Sequence, residues 1–113
     1  MKIFEKINRI FNISLFRGDK NITYIQAKEI MKEETKAILL DVRSKQEHEE
    51  YHLEGDVCIP LYELGNVEKV IPNKARVIIV YCQSGVRSKK AINILSKMGY
   101  TNLYQIKGGI EEI

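Results

Sequence analysis

Apolar positions along this chain fall into two rhythms. At Ile3, Ile7, Ile10 and Phe11 they recur every three or four residues, which predicts an amphipathic helix within residues 1–17. The same spacing returns at Ala27, Ile30 and Met31, behind a capping box formed by Thr23 and Gln26, and predicts a helix to about Glu34. It returns again at Ala91, Ile92 and Leu95 in a helix expected from Ser88 to Met98, with Gly99 placed to cap its end. Between these lie short runs too brief for helices. Ala37–Leu40, Val57–Ile59 before Pro60, the β-branched run Arg76–Cys82 and Asn102–Ile106 are expected as strands. Ser44 and Glu47 form a second capping box that opens a short charged helix. Leu61 to Val70 is read as helical, although Gly65 weakens it. Gly18–Asn21, Pro72–Lys74 and Gly108–Gly109 are expected as turns or loops. Strands alternate with helices, and the strongest strand is apolar on both sides. That order predicts an α/β domain with a mostly parallel sheet covered on both faces.

The remaining composition narrows the function. A chain of 113 residues is one domain. Its net charge of +3 is scattered, with no basic stripe, so no nucleic-acid partner is expected. A mildly basic surface suits small anions. Glu5 and Arg9 interrupt the apolar start and no small-residue cleavage site follows, which argues against a signal peptide. The first segment is expected to pack on the domain, with membrane-surface or partner docking as the alternative. No run is long enough for a membrane span. Cys58 and Cys82 are too far apart in sequence for a CxxC pair, and two cysteines make no disulfide scaffold, so a cytoplasmic setting is expected.

The chemistry concentrates in Cys82-Gln83-Ser84-Gly85-Val86-Arg87-Ser88, which follows the strongest strand and enters a helix. Ligands of parallel sheets bind beyond the carboxyl ends of the strands. Successive backbone N–H groups at a helix start converge on an anion, and together with Arg87 they favour thiolate over thiol. Cys82 is therefore the expected nucleophile, at the floor of a shallow pocket ringed by N–H groups and with a lowered pKa. The alternative is an inert buried thiol at a strand end. No metal and no cofactor is expected at this site.

Four pieces, LLDVRSKQEHEEYHLEG, VCIP, VIIVYCQSGVRSKKAINILSKMGY and LYQIKGG, stand in an order and spacing that resemble the rhodanese-like domains over about Thr23 to Gly109. The resemblance implies a central parallel sheet of about five strands with helices on both sides. It also implies a single-domain sulfurtransferase with Cys82 as catalytic cysteine and Cys82–Arg87 as the active-site loop. Four residues separate Cys82 from Arg87, as in the sulfurtransferase form; the related dual-specificity phosphatases have five. The implied chemistry moves sulfane sulfur from thiosulfate or a similar donor, through a Cys82 persulfide, to a small-molecule or protein thiol or to cyanide. Gln83 to Ser88 would supply amides, Ser84 a further donor to the sulfur, and Arg87 would orient the anionic donor or shape the loop. Asp41, Arg43 and Glu47 are expected to support the site, with Arg43 and Glu47 paired. His52 is read as a structural histidine and Cys58 as a core filler, with a resolving thiol as the alternative for Cys58. Residues past the glycine pair are fewer than in many relatives, and a monomer or weak dimer is expected.

Two other readings stand beside this one. A rhodanese-fold binding module would recruit a partner without chemistry, but would need neither Cys82 nor Arg87. A persulfide relay between a cysteine desulfurase and an acceptor protein would need the same loop.

Overall fold

The computed structural model describes residues 20–113; the expected helix within residues 1–17 lies outside them. Five strands form one parallel sheet: β1 (Asn21–Ile22), β2 (Ile38–Asp41), β3 (Val57–Cys58), β4 (Val77–Tyr81) and β5 (Asn102–Ile106), in the order β1-β5-β4-β2-β3. The helices are α1 (Tyr24–Glu33), α2 (Lys45–Glu50), α3 (Val67–Val70) and α4 (Val86–Lys97). The rhodanese-like α/β architecture expected from the sequence is the one present.

The central strand explains the layering. Every residue of β4 is buried. Successive side chains of a strand point to opposite faces. Ile78, Val80 and Cys82 accordingly join one core, with Leu40, Leu64, Val67, Ala91 and Leu95. Val77, Ile79 and Tyr81 join the other, with Ile22, Ala27, Ile30, Leu39 and Tyr104. The first core lies under α3 and α4, the second under α1. The near-continuous apolar run in the sequence is thus two period-2 patterns laid over each other.

Both capping boxes form, with the Thr23 hydroxyl accepting from the Gln26 amide at 3.1 Å and the Ser44 hydroxyl from the Glu47 amide at 3.2 Å. Each cap of this kind is worth about 1 kcal/mol. The expected helix from Leu61 to Val70 is only partly α-helical. Leu61–Asn66 is a 3-10 helix with no side-chain cap behind Pro60, and α-helical geometry begins at Val67. Gly65 has the low helix propensity that keeps this stretch from winding evenly. β1 was not expected at all. Its two residues pair with Gln105 and Ile106, and two residues carry no periodicity.

Candidate active site

The site lies where β4 stops. α4 begins at Val86, two residues earlier than its apolar spacing indicates, so the loop from Cys82 to Gly85 is short. Gly85 sits at φ +103°, a conformation that L side chains rarely adopt. That backbone turn points the Gly85 and Ser88 amides at one atom. The Cys82 Sγ accepts from Gly85 N–H at 3.1 Å and from Ser88 N–H at 3.3 Å. The Ser88 hydroxyl lies 3.5 Å from the sulfur. Cys82 itself is only 1% exposed, so the sulfur lies deeper than the floor of an open pocket.

Burial alone pushes the thiol up. The Ser88 hydroxyl and the amides of Ser88, Gly85 and Ser84 more than offset it, leaving the Cys82 pKa below the ordinary thiol value. The side chain contributing to the sulfur is Ser88, where the sequence pointed to Ser84. Ser84 is exposed and brings only its amide.

Three separate elements fasten this loop. Gln105, on β5, donates from one amide nitrogen to the Gly85 carbonyl at 2.8 Å and to the Ser88 hydroxyl at 2.9 Å. A 3-10 turn, Gly109–Glu112, donates the amides of Ile110 and Glu111 to the carbonyls of Cys82 and Gln83 at 3.0 and 3.1 Å. Gly109 sits so close that a Cβ there would fall 2.5 Å from the Cys82 carbonyl oxygen. Third, Arg87 makes a two-pronged pair with Glu47 of α2, at 2.6 and 2.8 Å. Sequence reasoning missed Gln105 entirely and read the glycine pair as a plain loop. Only the side-by-side placement of β5 and β4 brings those residues to Cys82.

The Glu47–Arg87 pair corrects the expected Arg43–Glu47 pairing. Arg43 turns back to Asp41, its Nε donating to Oδ1 at 3.0 Å and its Nη2 to Oδ2 at 2.9 Å, where both groups are buried. Glu47 is left facing the loop. Arg87 holds the Glu47 carboxyl at a pKa of about 2. A carboxyl depressed in the folded state stabilises the fold above its unfolded value, and that stabilisation fades as pH falls from about 4.5 toward about 2. Both side chains are about one-third exposed, so the contribution is about 1 kcal/mol after screening by solvent. Urea melts at pH 6 and pH 3 are expected to show a gap between the natural protein and Glu47→Gln that narrows at the lower pH. An equal gap at both would contradict the assignment.

Asp41 does reach the sheet edge that carries Cys82, yet its oxygens are occupied by Arg43 and by His48 Nδ1 at 3.0 Å. His52 donates from Nδ1 to the His48 carbonyl at 2.8 Å. Cys58 is half-buried, its thiol 3.6 Å from the Arg43 carbonyl. Burial and the nearby Asp41 and Asp56 carboxylates push it up to about 11. β2 separates β3 from β4, which sets Cys58 and Cys82 about 10 Å apart, beyond the reach of a disulfide. Elsewhere a cavity of about 660 Å³ opens between α4 and the β1–β5 edge, with Lys20, Lys89 and Gln105 in its wall. Among the described residues no helix is long and apolar enough to cross a membrane.

Comparison with known proteins places this geometry among relatives. Residues 23–113 match the model of the family described as Rhodanese-like domain. The chain is 36% identical over 75 residues to thiosulfate sulfurtransferase PspE of Escherichia coli (strain K12), covering 66% of this chain and 71% of that protein. It is 32% identical over 120 residues to the tRNA uridine(34) hydroxylase of Buchnera aphidicola subsp. Baizongia pistaciae, covering 97% of this chain but 38% of that protein. The match thus spans about two-fifths of the hydroxylase. Among solved structures, a rhodanese with anions from E. coli superposes with a TM-score of 0.62 at 35% identity, over 68% of this chain and 91% of that one.

Proposed function

Because this chain belongs to the rhodanese-like domain family, we propose that it is a sulfurtransferase that carries sulfane sulfur as a persulfide on Cys82. The observation that carries the reading is the convergence of the Gly85 and Ser88 amides on the Cys82 sulfur. Those donors favour the thiolate, the form that attacks. They lie at the sulfur, so an added sulfur and its negative charge meet N–H groups already in position.

The reaction runs in two displacements. The Cys82 thiolate attacks the outer sulfur of thiosulfate or a similar donor. A sulfur–sulfur bond forms, the donor's own sulfur–sulfur bond breaks, and sulfite leaves with that electron pair. An acceptor nucleophile, a thiol or cyanide, then attacks the outer sulfur of the persulfide, and Cys82 departs as thiolate. No general base is needed where the thiol is already ionised. Arg87 is engaged by Glu47, so its part is first to hold the loop's shape; its positive charge remains beside the path of an anionic donor. The kinship with PspE, a thiosulfate sulfurtransferase by name, supports this substrate class.

Intact mass after incubation with thiosulfate tests the proposal. The expected result is a gain of one sulfur, about 32 Da, that cyanide removes. A protein that gains no sulfur from thiosulfate or from a loaded cysteine desulfurase would overturn it, and the binding-module reading would take its place.

A further inference from the structure

The Ser88 hydroxyl has one hydrogen and two places to put it. Its oxygen lies 3.1 Å from the Gly85 carbonyl oxygen and 3.5 Å from the Cys82 sulfur. Where that hydrogen goes bears on the state of Cys82. In the thiol, the sulfur donates its own hydrogen to Ser88 Oγ, and the Ser88 hydrogen is left to Gly85. In the thiolate, the sulfur only accepts, and the Ser88 hydrogen joins the Gly85 and Ser88 amides in pointing at it.

Gln105 decides between these two arrangements. A carbonyl can only accept, so the end of the Gln105 amide 2.8 Å from the Gly85 oxygen is the nitrogen. The second hydrogen of that nitrogen goes to Ser88 Oγ at 2.9 Å. The Gly85 oxygen also takes the Lys89 amide at 3.2 Å. A carbonyl oxygen has two lone pairs. Lys89 and Gln105 fill both, and the Ser88 hydrogen finds no open acceptor at Gly85. The Cys82 sulfur is the acceptor that remains.

We propose that Gln105, on the persulfide reading of Cys82, is a positioning residue: by filling the Gly85 carbonyl and one lone pair of Ser88, it turns the Ser88 hydroxyl onto the sulfur and disfavours the thiol. It acts through Ser88 and makes no bond to the sulfur itself. Charged groups around the loop come from several elements. They are Arg87 on α4, whose charge acts on Cys82, Glu47 on α2, the Asp41–Arg43 pair at the end of β2, and Glu111 and Glu112 on the turn from Gly109. Lys20 and Lys89 share the cavity wall with Gln105. An uncharged replacement of Gln105 leaves all of them in place.

The test titrates the thiolate by its ultraviolet absorbance in a Cys58→Ser chain, with the same chain carrying Cys82→Ser as the blank. Gln105→Met, close in size at a half-buried position, removes both donors. The Cys82 midpoint should rise by about one pH unit, the effect of losing one hydrogen bond to an anion. Ser88→Ala should raise it as well. Gln105→Met added to Ser88→Ala should then raise it by less than half as much, because the hydroxyl it acts through is gone. Gln105→Asn, one methylene shorter, should repeat the rise and stands in if near-ultraviolet circular dichroism shows the Met variant misfolded. Sulfur uptake from thiosulfate near neutral pH should slow by about tenfold in Gln105→Met and recover at higher pH. An unmoved midpoint in the Gln105 variants would overturn the proposal. So would an undiminished rise in the Ser88→Ala background, which would assign Gln105 to loop shape alone. The titration needs no sulfur donor, so failure of the natural protein to take up sulfur would count against the persulfide reading and not against the Gln105–Ser88 coupling.

Discussion

Exchanging Cys82 for serine is expected to leave a folded protein that takes up no sulfur. The substitution is nearly isosteric at a residue 1% exposed, and a hydroxyl can accept the same Gly85 and Ser88 N–H bonds. Melting temperature should therefore change little. Chemistry should not survive, because the amides that draw a thiol toward its anion cannot bring an alcohol into range. Loss of a nucleophile in covalent catalysis costs at least ~1,000-fold in turnover. Thiocyanate release from thiosulfate and cyanide gives the rate, and near-ultraviolet circular dichroism checks the fold. Cys58→Ser in parallel should retain activity, given its distance from Cys82 and its raised pKa. Turnover in Cys82→Ser above a tenth of the natural rate would remove the persulfide from the mechanism.

Replacing Asp41 by alanine should do the opposite: the reactive loop stays intact in sequence, and the fold suffers. Asp41 is fully buried and takes hydrogen bonds from the Arg43 amide, the Arg43 guanidinium and His48. Without it a guanidinium with 4% side-chain exposure keeps the Tyr51 carbonyl but no counter-charge. Breaking a buried pair from one side costs about 3–5 kcal/mol. Domains of this size hold roughly 5–15 kcal/mol in all, so a fifth or more of the stability is at stake. Urea denaturation should show a lower midpoint with an unchanged slope. Asp41→Ala, Arg43→Met should recover part of the loss, because the stranded charge is then gone. A single variant as stable as the natural protein would contradict this account.

These two residues also mark how far the sequence could be read. Cys82, Gly85 and the Ser88 amide, though not the Ser88 hydroxyl, are legible because they are local: strand, glycine turn and helix start are adjacent in the chain, and backbone geometry does the rest. The sheet and both capping boxes are legible for the same reason, being set by periodicity and by pairs three residues apart. The partners that fasten the loop are not. Gln105 belongs to the last strand and Glu47 to a helix forty residues before Arg87. Spacing along the chain offered Arg43 as Glu47's partner, and three-dimensional neighbourhood chose Arg87. Asp56 meets Tyr81 and His48 only in the fold, across 25 and 8 positions of sequence. β1 is two residues long and exists only because β5 presents an edge to it.

The loop around Cys82 is tied on three sides, by Gln105, by the Glu47–Arg87 pair and by the turn that begins at Gly109. Two of the three ties grip backbone carbonyls, which no side-chain substitution within the loop removes. The cradle therefore behaves as a mould with a set diameter, not as a hinge that widens around its guest. Exchanging Gln83, Ser84 or Val86 should alter the charge and wetness of its lip while leaving its bore unchanged. On the proposed function, discrimination by size is written in the chain length of this loop, four residues between Cys82 and Arg87.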